Sequence, residues 1–348
     1  MHRRVALIPA VALAVAGALV SPSGPAQASA WNGLDPRPVG WSATDSWSQR
    51  RTVSNYWTSQ RMLAAQPLSV PRPRRTAQSA PSRGNPWAVR GASFTRQSQG
   101  TAWSARPTKP STSLQAVVPN SPGLRWTDGG AVVRTAGRVF FTTAEGGNAS
   151  CSGTAVTSAN ESVVITAGHC VKLNGASHRN WVFVPGFDNG QRPFGTWVAT
   201  RLLTTQQWNA NEDINFDIAA AVVAPLQGRT LTDVVGGQGV AFNQPRRAQM
   251  FSFGYPAAEP FDGSRLIYCS GQTFDDTLMS RDLGLRCNMT GGSSGGPWFQ
   301  GFDESTGMGW VNSVNSFKYD QDQRFMFGPF FGNDAMAVFR AAQNADAA

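Results

Sequence analysis

The sequence predicts an all-β barrel or sandwich from about Leu124 onward, behind a leader of different texture. Two observations carry the fold class. Short apolar, β-branched runs recur at close spacing, separated by Gly, Asn and Asp, the pattern of many short strands. Only one segment of this region, 334–345, shows good helical periodicity, with Ala335, Val338, Phe339 and Ala342 on one face. A change of composition near residue 120 sets the boundary between leader and β region.

Residues 1–30 read as a secretory signal peptide. Arg3 and Arg4 precede an uncharged apolar run over 5–20, and Ala26-Gln27-Ala28-Ser29-Ala30 offers small-residue cleavage sites. The apolar run is shorter than the roughly 20 residues a spanning helix needs. No comparable run follows, so no membrane span is expected after cleavage.

Residues 31–120 read as an Arg-, Trp- and Pro-rich leader and a propeptide. The stretch 31–66 holds Trp31, Trp41, Trp47 and Trp57, and 48–65 can form one short helix. The stretch 67–120 is dominated by Pro, Arg, Ser, Thr and Gln, as in Pro71-Arg72-Pro73-Arg74-Arg75. It offers too little apolar surface to offset chain entropy, so the leader is expected to be largely disordered and easily cut. Residues 31–120 carry twelve Lys or Arg against Asp35 and Asp45, whereas 121–348 carry sixteen basic and nineteen acidic residues. The net charge of +9 thus resides in the leader, and a nucleic-acid-binding reading of the whole chain loses its support.

From 121 to 348 the expected strands are 138–142, 152–156, 162–166, 181–184, 218–223, 248–253, 265–268, 297–299 and 311–314. Four cysteines, Cys151, Cys170, Cys269 and Cys287, make an even count in an exported chain and imply two disulfides. The pairs nearest in sequence are Cys151–Cys170 and Cys269–Cys287, each worth about 3 kcal/mol in the chain-entropy model. With no Cys-x-x-Cys and few histidines, no metal site is expected.

The chemistry resides in two short runs. Thr166-Ala167-Gly168-His169-Cys170 puts an imidazole beside a half-cystine at the end of a β-branched strand. Gly291-Gly292-Ser293-Ser294-Gly295-Gly296-Pro297 puts a serine on a glycine-rich turn. Base and nucleophile are the equipment for attack on an acyl carbon, with the N–H groups of Gly292 and Ser294 as the oxyanion donors. The other histidine outside the signal peptide, His178, sits in a polar stretch that reads as an exposed loop. A base histidine needs a carboxylate to fix its tautomer. Asp217, opening the apolar run 218–223, is the better candidate, and Asp213 is its rival. Gly292-Ser293-Ser294-Gly295-Gly296 also fits Gly-x-Ser-x-Gly, but that elbow requires a later histidine and none follows Ser294.

On these motifs the chain resembles the secreted bacterial members of the chymotrypsin-like serine peptidases over roughly 125–345. The resemblance implies a double β-barrel with His169, Asp217 and Ser294 between the barrels and a C-terminal helix. It also implies that Cys151–Cys170 is the histidine-loop disulfide. Animal members carry Asp where this chain has Ser293, so activation by insertion of a new N-terminus is not expected. The leader is instead expected to occlude the site or assist folding until it is cut. By resemblance Asn288 lies at the base of the primary pocket and Ser313-Val314-Asn315 forms its wall strand. Glutamate-specific relatives place a histidine where this chain has Asn312, so a neutral side chain is expected in the pocket.

The reading is a secreted, monomeric serine endopeptidase made as a precursor, acting on protein or peptide substrates without a cofactor. A second reading is a binding protein on a peptidase fold that has lost catalysis. A third gives the basic leader a role in contacting an anionic cell wall.

Overall fold

The computed structural model describes residues 36–68, 79–92 and 121–348. The expected signal peptide at 1–30 and the Arg-Pro run at 71–75 lie outside the described residues.

Two stretches of the leader are folded, which departs from the expectation of disorder. They supply strand β1 (Val39–Ser42), helices α1 (Trp47–Tyr56) and α2 (Ser59–Ala64), and strands β2 (Gln66–Pro67) and β3 (Trp87–Val89). The single helix expected over 48–65 is two. Thr58 leaves helical geometry and its side chain accepts from Arg61 N–H, which caps α2, as Ser46 caps α1 through Gln49 N–H. The break lets Trp57 turn inward, where it is 1% exposed, lies 5.5 Å from Phe140 and donates from Nε1 to the Asn180 carbonyl at 2.6 Å. Val53, Met62, Ala65 and Val89 join the same core. Average composition missed this because the few apolar residues of the leader meet a core that the rest of the chain supplies.

Strand β4 (Ser121–Arg125) opens the β region. Six strands then close a barrel: β5 (Ala136–Thr142), β6 (Asn148–Val156), β7 (Val163–Thr166), β8 (Arg179–Pro185), β9 (Trp197–Thr204) and β10 (Ala219–Val223). The antiparallel circuit runs β5-β6-β7-β10-β9-β8 and back to β5. Buried β-branched and small residues, such as Val163, Val164 and Ile165 against Ala219, Ala220 and Ala221, fill it. The leader adds β1 antiparallel to β9 and β2 parallel to β6.

The second half contains β11 (Gly239–Phe242), β12 (Gln249–Gly254), β13 (Ile267–Gln272), β14 (Leu283–Arg286), β15 (Pro297–Asp303), β16 (Met308–Val314), β17 (Phe317–Tyr319) and β18 (Asp322–Gly328). One sheet has the order β3-β11-β16-β15-β12-β13-β4, and β14, β18 and β17 are neighbours in another. Cys269 on β13 is bonded to Cys287 just after β14, which ties the two sheets together. Cys151 on β6 is bonded to Cys170 after β7. Helix α3 (Asn333–Gln343) closes the chain, burying Ala335, Val338, Phe339 and Ala342 as the periodicity implied. Its Asp334 in the first turn and Arg340 in the last complement the helix dipole. Among the described residues no helix is long and apolar enough to cross a membrane. The all-β class with one C-terminal helix therefore holds, with strands from the leader added to both halves.

Trp57→Ala should cost about 3–5 kcal/mol, the usual range for truncating a large buried aromatic. Urea unfolding monitored by tryptophan fluorescence measures it. A loss under about 1 kcal/mol would mean that α1 and α2 contribute little to the folded state.

Candidate active site

Strand register brings the histidine and the aspartate together. β7 and β10 are paired at Thr166↔Ala219. His169 lies three residues beyond Thr166, in the 3-10 turn Gly168–Cys170, and Asp217 lies two residues before Ala219. Gly168 is needed because a Cβ there would stand 2.7 Å from the Trp208 ring. Asp217 Oδ1 accepts the His169 backbone N–H at 2.8 Å, and Oδ2 lies 2.7 Å from Nδ1. Ser316 Oγ donates to the same Oδ2. A carboxylate only accepts, so the ring proton is on Nδ1 and Nε2 keeps a free lone pair. Both side chains are fully buried.

A second histidine holds the first in place. His178, expected in an exposed loop, is 5% exposed. It stacks on Phe141 at 4.2 Å between ring centroids, and Nε2–H donates to the His169 carbonyl at 3.0 Å. Burial pushes its pKa down to about 4, so it is neutral near pH 7. The sequence signal was obscured because the surrounding residues are polar while the one aromatic partner lies 37 positions away.

The serine turn is docked against the strand that leads to His169. Ser152 N–H on β6 donates to the Ser294 carbonyl at 2.7 Å, and Ser152 Oγ donates to the Gly292 carbonyl at 2.9 Å. Gly295 has φ +77°, and a Cβ there would stand 2.1 Å from Thr166 Oγ1 and 2.7 Å from Ala167 N. Only glycine allows that approach. Asn315 Nδ2 donates to the carbonyls of Ser293 and Phe253, while its Oδ1 accepts from Ser252 and Trp298. Ser293 Oγ is engaged with the Thr290 carbonyl, which leaves Ser294 as the free hydroxyl. Ser294 Oγ and His169 Nε2 are both buried and have no partner among the described residues. The N–H groups of Ser293, Gly295 and Gly296 bond to carbonyls, whereas those of Gly292 and Ser294 bond to none among the described residues.

Of the residues expected to form the primary pocket, Asn315 contacts the serine turn through the Ser293 carbonyl. Asn288 is exposed, its N–H bonds to the Pro122 carbonyl, and its Oδ1 abuts Gly123. Ser313 is buried and its Oγ donates to the Pro329 carbonyl. Val314 belongs to the core and Asn315 braces the serine turn. The hydroxyl that reaches Asp217 is that of Ser316, three residues beyond Ser313, and the sequence reasoning did not single it out. Asp213, the rival carboxylate, caps the turn 214–216 through Asn215 N–H. Asp282 is fully buried, and its burial together with the charges of Asp217 and Asp276 holds its pKa well above the ordinary carboxylate range. Cys151, Cys170 and His169 offer ligand atoms within 4.8 Å of one another, but the two sulfurs are bonded to each other and are not thiolates.

His178 makes stability depend on acid. Its folded pKa of about 4 is below the ordinary 6.5, so the unfolded chain binds the extra proton. Stability is full above pH 6.5 and is lost as pH falls toward 4, by up to about 3 kcal/mol. In His178→Gln the urea midpoint should vary less between pH 6.5 and 4 than in the parent. Equal slopes would show that another group controls the acid limb. Gly295→Ala should displace the serine turn, and a shift of about 1 Å typically costs about 10²-fold in rate. Hydrolysis of a peptide substrate checks this, and an unchanged kcat would contradict the tight approach to Thr166.

No protein-family model matches the chain, and no curated protein matches it. Solved structures do match. The protease Anisep from Arthrobacter nicotinovorans is 44% identical over 62% of this chain and 98% of that one, with a TM-score of 0.58. The thermostable serine protease AL20, from an extremophilic microorganism, is 42% identical over 62% of this chain and 100% of that one, with a TM-score of 0.59. A Glu endopeptidase at 14% identity, covering 66% of this chain and 100% of that one at a TM-score of 0.51, shares the fold. Register, buried polar partners and these likenesses agree, and the chain belongs to the chymotrypsin-like serine peptidases.

Proposed function

We propose that the protein is an exported serine endopeptidase, made as a precursor, that cleaves peptide bonds through an acyl-enzyme. Ser294 is the nucleophile, His169 the base, and Asp217 the carboxylate that orients it. The observation that carries this reading is the pair of buried, unpartnered atoms, Ser294 Oγ and His169 Nε2, beside a tautomer fixed by Asp217.

Ser294 Oγ attacks the scissile carbonyl carbon as its proton passes to His169 Nε2. The carbonyl oxygen takes the negative charge and is held by the N–H groups of Gly292 and Ser294, each such donor being worth about 2.7–4 kcal/mol. The C–N bond then breaks as the imidazolium returns its proton to the leaving amine. Water repeats the sequence on the acyl-enzyme and releases the acid. Asp217 stabilises the imidazolium in both halves, and donation from Ser316 and the His169 N–H keeps its own charge solvated by the protein.

A neutral substrate side chain is the reading for the primary pocket, because by resemblance Asn312 stands where glutamate-specific relatives carry a histidine. Two disulfides fit an oxidising, extracellular setting. On this reading residues 1–30 are the export signal, 31–120 the leader and 121–348 the peptidase domain. Protein or peptide is the partner, and the working form is a monomer.

The decisive comparison is the purified parent against Ser294→Ala on casein, with the N-terminus read by mass spectrometry. The variant should lose about 10⁶ in rate. A folded, leader-free parent as inert as the variant would overturn the peptidase reading in favour of a binding protein.

A further inference from the structure

We propose that leader residues 66–68 block the leaving-group half of the cleft, and that cutting the chain between 93 and 120 does not by itself open it. The proposal rests on the peptidase reading above and adds which residues inhibit and what holds them.

β6 carries the argument. Its first residues are covered on one side by β5, with Ser150↔Phe140 and Ala149↔Phe141. The other side is taken by β2, with Gln66↔Ala149 and Pro67↔Ser150, and Leu68 N–H donates to the Ser150 carbonyl at 3.1 Å. The next residue, Cys151, is bonded to Cys170 beside His169. The one after, Ser152, holds the Ser294 carbonyl. The leader strand therefore ends within two residues of the contact that positions the nucleophile. The Leu68 carbonyl also abuts Gly291, where a Cβ would lie 3.0 Å from it, and Gly291 adjoins the oxyanion donor Gly292.

Chemistry then says which half of a substrate is displaced. The leaving amine must take its proton from His169. Its half of the substrate therefore lies on the His169 and Cys151–Cys170 side of Ser294, over the free edge of β6. An extended peptide would pair with that edge through its backbone, and Gln66 to Leu68 already occupy it.

What holds these residues lies within 36–68. β1 pairs with β9 over four residues, from Val39↔Thr204 to Ser42↔Arg201. Trp57 and Met62 are buried in the barrel core. Tyr56 OH donates to Asn148 Oδ1 at 2.8 Å, and Arg192 Nη1 donates to the Trp57 carbonyl at 3.2 Å. Farther along, Ser82 bonds through N–H and Oγ to Asp334 on α3. All of these contacts survive a cut anywhere in 93–120.

The test uses the full chain with a recognition sequence for a specific protease placed between 93 and 120. After cutting, the leader fragment should co-elute with the peptidase domain on gel filtration. An internally quenched peptide that extends several residues past its scissile bond should be hydrolysed at least tenfold more slowly by this complex than by the same complex carrying Leu68→Pro, which removes the donor to Ser150. Tyr56→Phe, a milder change at the docking surface, should move the rate in the same direction and guards against misfolding of the proline variant. A small phosphonylating probe of Ser294 should label the variants. Dissociation of the fragment on cutting, or equal rates in parent and both variants with Ser294 labelled, would overturn the proposal. Failure of the probe to label any form would overturn the peptidase reading instead.

Discussion

A carboxylate buried in an apolar barrel is the constraint on which the rest of the site depends. Asp217 is fully buried, and leaving such a charge without partners would cost several kcal/mol. Its oxygens are matched by His169 N–H, His169 Nδ1–H and Ser316 Oγ–H. These donors come from the turn after β7 and the segment between β16 and β17. Satisfying one carboxylate thus fixes the histidine ring and draws a segment of the second half onto the first barrel. Burial, with the charges of Asp217 and Asp276, pushes the Asp282 carboxyl well above the ordinary carboxylate range.

Ser294 is placed by an equally short set of polar contacts. Ser152 bonds through N–H to Ser294, through Oγ to the Gly292 carbonyl, and accepts from Tyr255 N–H. One residue of β6 thereby braces both ends of the turn from Gly292 to Ser294. Asn315 supports the same turn from the opposite side through Ser293. The N–H groups of Gly292 and Ser294 bond to no carbonyl among the described residues, which on the proposed reading leaves them for a developing oxyanion.

The legible parts of the sequence were those whose cause is local. Thr166 to Cys170 and Gly291 to Pro297 announce themselves because a strand end and a glycine turn are set by adjacent residues. Asp217 was legible because a carboxylate at the head of an apolar run demands a partner. The nearest-neighbour disulfides formed as expected. Ser316 was not legible, since Ser313 and Ser316 are both serines beside small or apolar residues. What separates them is where β16 leaves its sheet, which Val314 paired with Pro297 fixes. Ser313 then turns its hydroxyl to Pro329. His178 was hidden for the related reason that its stacking partner Phe141 and its acceptor, the His169 carbonyl, are brought to it by folding.

The leader shows the same limit at larger scale. Its mean composition is that of a chain unable to build a core, and it does not build one alone. Trp57 and Met62 enter a core already assembled by β5 to β10, and Gln66 to Leu68 take hydrogen bonds that β6 offers whether or not the leader has hydrophobic residues to spare. Docking of this kind depends on the host surface more than on the guest sequence. It also couples the two roles of β6. The strand that holds Ser294 in position through Ser152 is the strand whose edge holds Leu68 through Ser150. A change that loosened β6 to release the leader would loosen Ser294 as well. Selective opening must therefore act on the leader side of the contact, at β2 or at the anchors in α1 and α2, where the peptidase framework is left intact.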